Sequence, residues 1–300
     1  MSKKILITGA YGHLGKALCK ILINRYNVTP TSSRPMNAIH SYRNTITLDV
    51  TVKRNVEQAI RTIQPDIIIN CAAFTGVDDS ETNRNKARLI NVVGLQNLIQ
   101  ASKHNTYIVQ ISSDYVFDGD AGPYSEQDHT HPINYYGKTK LEAENILRGS
   151  RRKFLIIRTN VIYSEDILLK GNFFGWIYKS LGNNKRIFVV NDQTSNPTYV
   201  LHLAQTIFQC IILNMEGVYH YGGNDHITRL EFALFICRYF KLDKQLITSI
   251  DTEQLKKNCP SYIANRPKHS GLNTTKIEEH IGLTTYPTEY SFDILKKNLK

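Results

Sequence analysis

Apolar residues in the first half of the chain come in short unbroken bursts, each followed by a longer stretch where they recur every three or four positions. KILIT leads into LGKALCKILINRY, NTITLDV into VEQAIRTI, and DIIINCAA into NRNKARLINVVGLQNLIQASK. YNVTPTS adds a further burst, YIVQISS leads into KTKLEAENILR, and FLIIRTN closes the series near Thr159. Bursts of Ile, Val and Leu without polar alternation predict strands covered on both faces, while a period near 3.6 predicts amphipathic helices. Their strict alternation predicts an α/β fold, a doubly wound parallel sheet with right-handed crossovers.

Past Thr159 the rhythm loosens. NFFGWIYKSLG and LHLAQTIFQCIIL read as helices, RIFVV and GVYHYGG as strands, and Thr228 with Glu231 forms a T-x-x-E box in front of FALFICRYF. No linker, repeat or low-complexity tract separates the halves.

Composition narrows the class. Across 300 residues, 41% are hydrophobic and 21% charged, the balance of an ordinary globular protein. No apolar run approaches the ~20 residues of a membrane span, so no membrane partner is expected. The opening MSKKILITGAYG reads as an immediate core strand rather than a signal peptide. Five cysteines without a C-x-x-C pair predict reduced thiols and a cytoplasmic location. The formal charge of +11 is dispersed, and its densest cluster, Arg148 to Lys153, holds no aromatic residue. Nucleic acid is therefore not an expected partner, whereas an anionic small molecule suits a positive field.

The segment Thr8-Gly9-Ala10-Tyr11-Gly12-His13-Leu14-Gly15 lies between the first strand and the first helix. Glycines there allow a tight turn, close approach of a pyrophosphate and contact between helix and strand, while the amides around Tyr11, His13 and Leu14 face the phosphates. A nicotinamide dinucleotide is the expected cofactor, and residues 1–165 its Rossmann domain. Residues 166–300 are then mainly a smaller substrate-binding lobe, with 187–215 returning to the Rossmann sheet. The second strand ends in Thr31-Ser32-Ser33-Arg34 with no acid nearby. Ser33 and Arg34 suit a 2′-phosphate and favour NADPH over NADH. Asp49 and Val50 end the third strand beside the adenine. Cys71, Ala72 and Ala73 let the dinucleotide cross the sheet edge, and Thr75, Asn91 and Ser112 complete the cofactor set.

Strand five ends in Ser112-Ser113-Asp114-Tyr115-Val116-Phe117, and strand carboxyl ends are where such sheets hold ligands. Farther on, NYYGKTK places Tyr135 three positions before Lys138 and Tyr136 four before Lys140, and either spacing puts phenol and ammonium on one helical face. The glycine turn, the serine after strand five and Tyr-x-x-x-Lys resemble the extended short-chain dehydrogenase/reductases. CAAFTGVDDSE, ISSDYVFDG, PINYYGKTKLEAE, IIRTNVIY, DQTSNPTY and RPKHSGLNTTKIE together resemble the dTDP-4-dehydrorhamnose reductase family over nearly the whole chain.

That resemblance implies an NADPH-dependent reductase of the C4 ketone of a nucleotide-activated 6-deoxyhexose, with Ser113, Tyr136 and Lys140 catalytic. A phenol of pKa ~10 needs help near neutrality, and drawing it toward 7 with the Lys140 cation corresponds to ~4 kcal/mol. Ser113 would polarise the carbonyl. Asp114, Tyr115, Val116, Phe117 and Asn160 would line the sugar, Asn172 and Phe173 the nucleotide, and Arg266 or Lys268 the diphosphate. Val161 stands where the family's sugar pocket has a tryptophan, which points to a different sugar or nucleotide. The family's magnesium dependence is not readable in this chain, and the acidic, histidine-bearing EQDHTH reads as a polar loop rather than a metal site. The alternatives are a nucleotide-sugar epimerase and a non-catalytic NADP-binding subunit like the regulatory subunit of methionine adenosyltransferase. The resemblance also leaves room for a homodimer.

Overall fold

The unbroken apolar bursts become the middle of one sheet. The structure, a computed structural model, describes residues 2–33, 42 and 44–299. Strands β1 (Lys4–Thr8), β2 (Asn27–Ser32), β3 (Ile46–Thr47), β4 (Ile67–Asn70), β5 (Tyr107–Ser113) and β6 (Phe154–Thr159) join Gly217–Tyr221 in a seven-stranded sheet. Its order runs from the Gly217–Tyr221 edge through β6, β5, β4, β1 and β2 to β3, and every pairing is parallel. The chain leaves β1 toward β2 on one side and returns to β4 on the other, so a ligand crevice opens between β1 and β4 at their carboxyl ends.

Alternate side chains serve opposite faces, which is why these strands carry no polar alternation. Ile5, Ile7, Ile67 and Ile69 point to the face covered by helices His13–Leu22 and Val200–Ile212, while Leu6 and Ile68 point to the face covered by Val56, Ile60 and Leu98. Ile108 and Ile156 share that second side with Leu95, Ala143 and Leu147.

The third strand is shorter than NTITLDV predicts. It keeps only Ile46–Thr47, because Asp49 leaves the ladder to accept bonds from the Thr51 amide (2.9 Å) and hydroxyl (2.7 Å). The return expected over 187–215 also falls differently. Ile187–Val190 pairs with Ile247–Ile250 in a sheet of its own, and the chain rejoins the large sheet only at Gly217–Tyr221. Of the expected stretch, the helix Val200–Ile212 lays its apolar face on the first helix, and Ile187 and Val189 join the same core.

The second half builds its own core from rings. Phe174, Phe232, Phe240 and Phe292 meet at centroid distances of 5.3 to 5.9 Å. They come from helices Phe173–Gly182, Arg229–Phe240 and Thr288–Asn298. The T-x-x-E box read at Thr228 and Glu231 is present at the start of the second of these helices. Among the described residues no helix is long and apolar enough to cross a membrane.

Candidate active site

Polar residues of three of the apolar bursts, two of them strand-ending, join into a chain near the sheet's carboxyl edge. The Thr8 hydroxyl donates to Asn70 Oδ1 (2.6 Å), and Asn70 Nδ2 donates to Gln110 Oε1 (2.8 Å). Thr8 Oγ1 also accepts the Ala72 amide at 3.1 Å, so β1, β4 and β5 are held in register where the crevice opens.

The glycine turn opens the first helix there. A Cβ on Gly15 would lie 2.2 Å from the Gly9 carbonyl oxygen, so that glycine serves the protein's own packing. Gly12 is different: among the described residues, a Cβ there would meet only the Gly9 oxygen, at 3.4 Å, in ordinary extended backbone (φ −77°). Among the described residues nothing requires glycine at this position, and it is exposed after β1. The buried hydroxyls of Tyr11 and Thr31 nearby have no partner among the described residues. An open backbone cradle with unpaired hydroxyls beside it fits a dinucleotide.

The other residues expected to hold the cofactor divide by what they already touch. Leu14 and Val50 turn their side chains into the core, leaving only backbone to a ligand. His13 spans from Ser164 Oγ (2.7 Å) to the Lys170 carbonyl (3.2 Å), which ties the glycine turn to the 164–170 segment. Cys71, Ala72 and Ala73 are half-buried at the end of β4, Thr75 is exposed, and Ser33 is exposed after β2. Asn91 accepts the Phe74 amide at 2.7 Å and donates to the Phe74 carbonyl (3.2 Å) and Thr139 hydroxyl (2.9 Å), so it pins this segment to the next helix rather than facing a ligand. Arg34 lies outside the described residues.

The helix Tyr135–Gly149 begins at the mouth of β5. Asn134 caps it through Gly137 N–H (2.8 Å) and donates across to the Asn265 carbonyl (2.9 Å). A Cβ on Gly137 would lie 2.0 Å from the Tyr115 carbonyl oxygen, so only glycine lets the helix start rest against the turn after β5.

Neighbouring serines of β5 face opposite ways, as strand geometry requires. Ser112 Oγ donates to Glu144 at 2.5 Å, behind the helix. Ser113 faces forward beside Tyr136, donating to Asp114 Oδ1 at 2.9 Å and accepting the Tyr115 amide at 3.2 Å. Tyr115 meets Tyr136 edge to face at 5.9 Å. Tyr135 instead lies under Arg84, its own amide bonded to Glu81, and Lys138 is exposed.

The electrostatics correct one expectation. Lys140 Nζ donates to the Ile111 carbonyl at 2.6 Å. Burial, reinforced by the Asp114 carboxylate, raises the Tyr136 pKa above its usual range, whereas the expectation was a lowered one. Burial also lowers Lys140 to about 8, against the pull of Glu144 and Cys71. Asp114, only 2% exposed, is pushed up to about 6 by burial even though Ser270 (2.6 Å) and Ser113 bond to it.

Several residues expected at the substrate are committed elsewhere. The short helical turn after β5 aims Val116 and Phe117 inward, where Phe117 stacks on Tyr124 at 4.2 Å beneath the Arg158 guanidinium. Asp114 is enclosed, so within Asp114-Tyr115-Val116-Phe117 Tyr115 is the ring beside Tyr136. Asn160 is buried against Asn196 and Thr198. Asn172 donates to the Ser164 and Asp166 carbonyls (2.8 and 3.1 Å), holding the loop that His13 also holds. Arg266 forms a two-pronged bridge to Asp78 (3.1 and 2.5 Å) over the Tyr262 ring, and Lys268 pairs with Asp192 at 3.2 Å. Glu126 of the EQDHTH loop accepts the His220 amide (2.8 Å).

Sequence reasoning passed over Arg229. It opens the capped helix, lies 5.1 Å over the half-buried Phe173 ring and exerts a field on both Asp114 and Tyr115. Among the described residues no carboxylate lies within ion-pair distance of it. Its signal was present, since the Thr228–Glu231 box marks the residue after Thr228 as the first of a helix.

Comparison with known proteins bears on the family and the fold. Residues 3–297 match the family described as RmlD substrate binding domain. The chain is 34% identical over 296 residues to dTDP-4-dehydrorhamnose reductase of Aggregatibacter actinomycetemcomitans, covering 93% of this chain and 94% of the relative. It is similar in structure to the Bacillus anthracis dTDP-4-dehydrorhamnose reductase solved in complex with NADP: TM-score 0.87, 31% identity, 99% of this chain and 100% of that one covered. It is also 30% identical to methionine adenosyltransferase 2 subunit beta of Rattus norvegicus, over 92% of this chain and 82% of the relative.

Proposed function

The chain belongs to the RmlD substrate-binding-domain family, and from that premise we propose that it is an NADPH-dependent oxidoreductase of the extended short-chain type. Its reaction is reduction of the C4 ketone of a nucleotide-activated 6-deoxy-4-ketohexose, the step named for its dTDP-4-dehydrorhamnose reductase relatives. The observation that carries this reading is the placing of Ser113 beside Tyr136 at the mouth of β5, whose sheet also holds the strand that leads into the glycine turn.

A reduced nicotinamide held there supplies the hydride. The amides around Gly9, Gly12 and the start of the first helix would hold its pyrophosphate, and Lys140, the buried cation one turn after Tyr136, would hold its nicotinamide ribose. Ser113 directs a hydroxyl at the carbonyl oxygen and polarises it. Tyr136 holds the proton that the developing alkoxide needs. Burial suits a proton donor of this kind, because a phenol above its ordinary pKa stays protonated across the working range and releases its proton only to a base as strong as an alkoxide. Tyr115 forms the wall against the sugar, and Arg229 is the cation that meets the diphosphate.

The same three side chains argue against the regulatory-subunit reading, because a protein that only binds the cofactor needs no proton donor at this position. We place the reaction in the cytoplasm, in keeping with the unpaired state of all five cysteines. The test is isotope transfer. With 4-deuterated NADPH and dTDP- or UDP-4-keto-6-deoxyglucose, plus a 3,5-epimerase, deuterium should appear at C4 of the product sugar. Tight NADPH binding with no transfer to any such sugar would support the regulatory reading.

A further inference from the structure

Ser113 carries a single hydroxyl proton, and the structure gives it two competing destinations. One is the carbonyl that the proposed reaction requires. The other is Asp114 Oδ1, 2.9 Å away and already in contact. An ionised Asp114 can only accept, so it draws that proton to itself and leaves Ser113 able only to accept, as it does from the Tyr115 amide (3.2 Å). A protonated Asp114 reverses the direction, donating to Ser113 Oγ and releasing the serine proton to point outward.

The opposite oxygen of the same carboxylate is held from the other half of the chain. Ser270 Oγ donates to Asp114 Oδ2 at 2.6 Å, and Ser270 is itself 3% exposed. Its backbone is fixed between the lobes: its amide donates to the Thr194 carbonyl (3.0 Å), and the adjacent His269 amide donates to Gly119 (2.8 Å). The groups facing Asp114 are Ser113 and Tyr115 from its own segment, Tyr136 from the Tyr135–Gly149 helix, Ser270, and Arg229 from the Arg229–Phe240 helix. Only Arg229 among them is a full cation, and it acts through its field rather than through a hydrogen bond.

We propose that Asp114 is a positioning residue whose protonation state aims the Ser113 hydroxyl, with Ser270 linking that setting to the second lobe. This goes beyond the proposed function but rests on it, since the aimed hydroxyl matters only if a carbonyl is reduced. Burial places the carboxyl at about 6, close enough to neutrality for the setting to change within the working range. The proton-bound form is the productive one, so kcat/KM should fall as pH rises through that value.

Three measurements test it. The wild-type kcat/KM should be roughly 25-fold higher at pH 5.5 than at pH 7.5, the ratio a single group titrating near 6 imposes. Asp114→Asn keeps the shape and donates permanently to Ser113, so its profile should be flat within about twofold over that range. Ser270→Ala removes one donor to the carboxylate and should move the inflection to higher pH by roughly half a unit or more. A residue that only packs the site would lower rates at every pH and leave the inflection in place. A carboxyl 13C titration of NADP-saturated protein, assigned by comparison with Asp114→Asn or by selective labelling, reads the same group without turnover. If the wild type reduces no keto-sugar, the proposed function fails, and the titration still judges Asp114. A midpoint below about 4.5, or one that Ser270→Ala does not move, overturns the proposal.

Discussion

The guanidinium of Arg158 and the carboxylate of Glu144 form a fully enclosed pair, 2.7 Å apart with 1% and 0% of their side chains exposed. Glu144 also receives Ser112 and Arg148, and Arg158 approaches His220 Nε2 at 3.3 Å. The pair therefore anchors the helix carrying Tyr136 and Lys140 to β6, directly behind Ser112.

Breaking it on one side should be costly. Arg158→Met leaves the Glu144 charge without its principal partner in the core, and a loss of about 3–5 kcal/mol is expected in denaturant unfolding. The double variant Arg158→Met/Glu144→Leu should lose less than the Arg158→Met single variant, because no unpaired charge remains.

Gly12 and Gly15 should separate folding from binding. Gly15→Ala forces a Cβ to 2.2 Å from the Gly9 oxygen and should lower the melting temperature together with cofactor affinity. Among the described residues, Gly12→Ala sets its Cβ against one atom, at 3.4 Å. It should melt close to the wild type yet bind NADPH at least tenfold more weakly, about 1.4 kcal/mol. Equal losses in melting temperature for both variants would contradict the cradle.

Lys140 predicts a trade of stability against activity. Its folded pKa is depressed to about 8 from an ordinary 10.5, so the unfolded chain binds more protons between those values. Burial of the cation therefore penalises folding fully below pH 8, and the penalty fades as pH rises toward 10.5. Lys140→Met should unfold later than the wild type at pH 7, by about 1–3 kcal/mol after loss of the Ile111 bond, with the gap closing by pH 10. The same variant should lose reductase activity.

Arg266 should behave as a bolt between the lobes. Its bridge to Asp78 joins the 262–266 segment to the helix Val77–Thr82, and Asp78 also accepts the Ile263 and Ala264 amides at 2.9 Å each. Burial opposes ionisation of Asp78, but the Arg266 and amide bonds outweigh it and hold its pKa below the usual carboxylate value. A depressed carboxylate contributes stability above the unfolded pKa and loses it as pH falls through the folded one. Arg266→Lys, which cannot make the two-pronged contact, should destabilise the fold by about 1–2 kcal/mol at pH 7. That difference should shrink at pH 3.

Elements and chemistry with a local signature were legible in the sequence. The apolar bursts declared the parallel sheet, the glycine triplet marked its crevice, and helical spacing put Tyr136 and Lys140 on one helix. Relations between distant segments were hidden. Asp78 and Arg266 are 188 residues apart, and Asp114 and Ser270 are 156 apart, so no periodicity joins them. Short-range direction was equally hidden at Val116 and Phe117, since an apolar pair after a strand suits a pocket wall as well as a core. Only the helical turn after β5 decides that they point inward. Lys140 shows a third limit: spacing brought it to the correct face, but the Ile111 carbonyl decided where its ammonium points.

The proposed reaction stands on Tyr136 as the group that delivers the proton at C4. Stopped-flow NADPH oxidation with the keto-sugar, run beside NADPH titration by fluorescence, measures this in one pair of proteins. Tyr136→Phe should bind NADPH within about twofold of the wild type while its rate falls by about 10²–10⁴. A phenylalanine variant that turns over within tenfold of the wild type would contradict it.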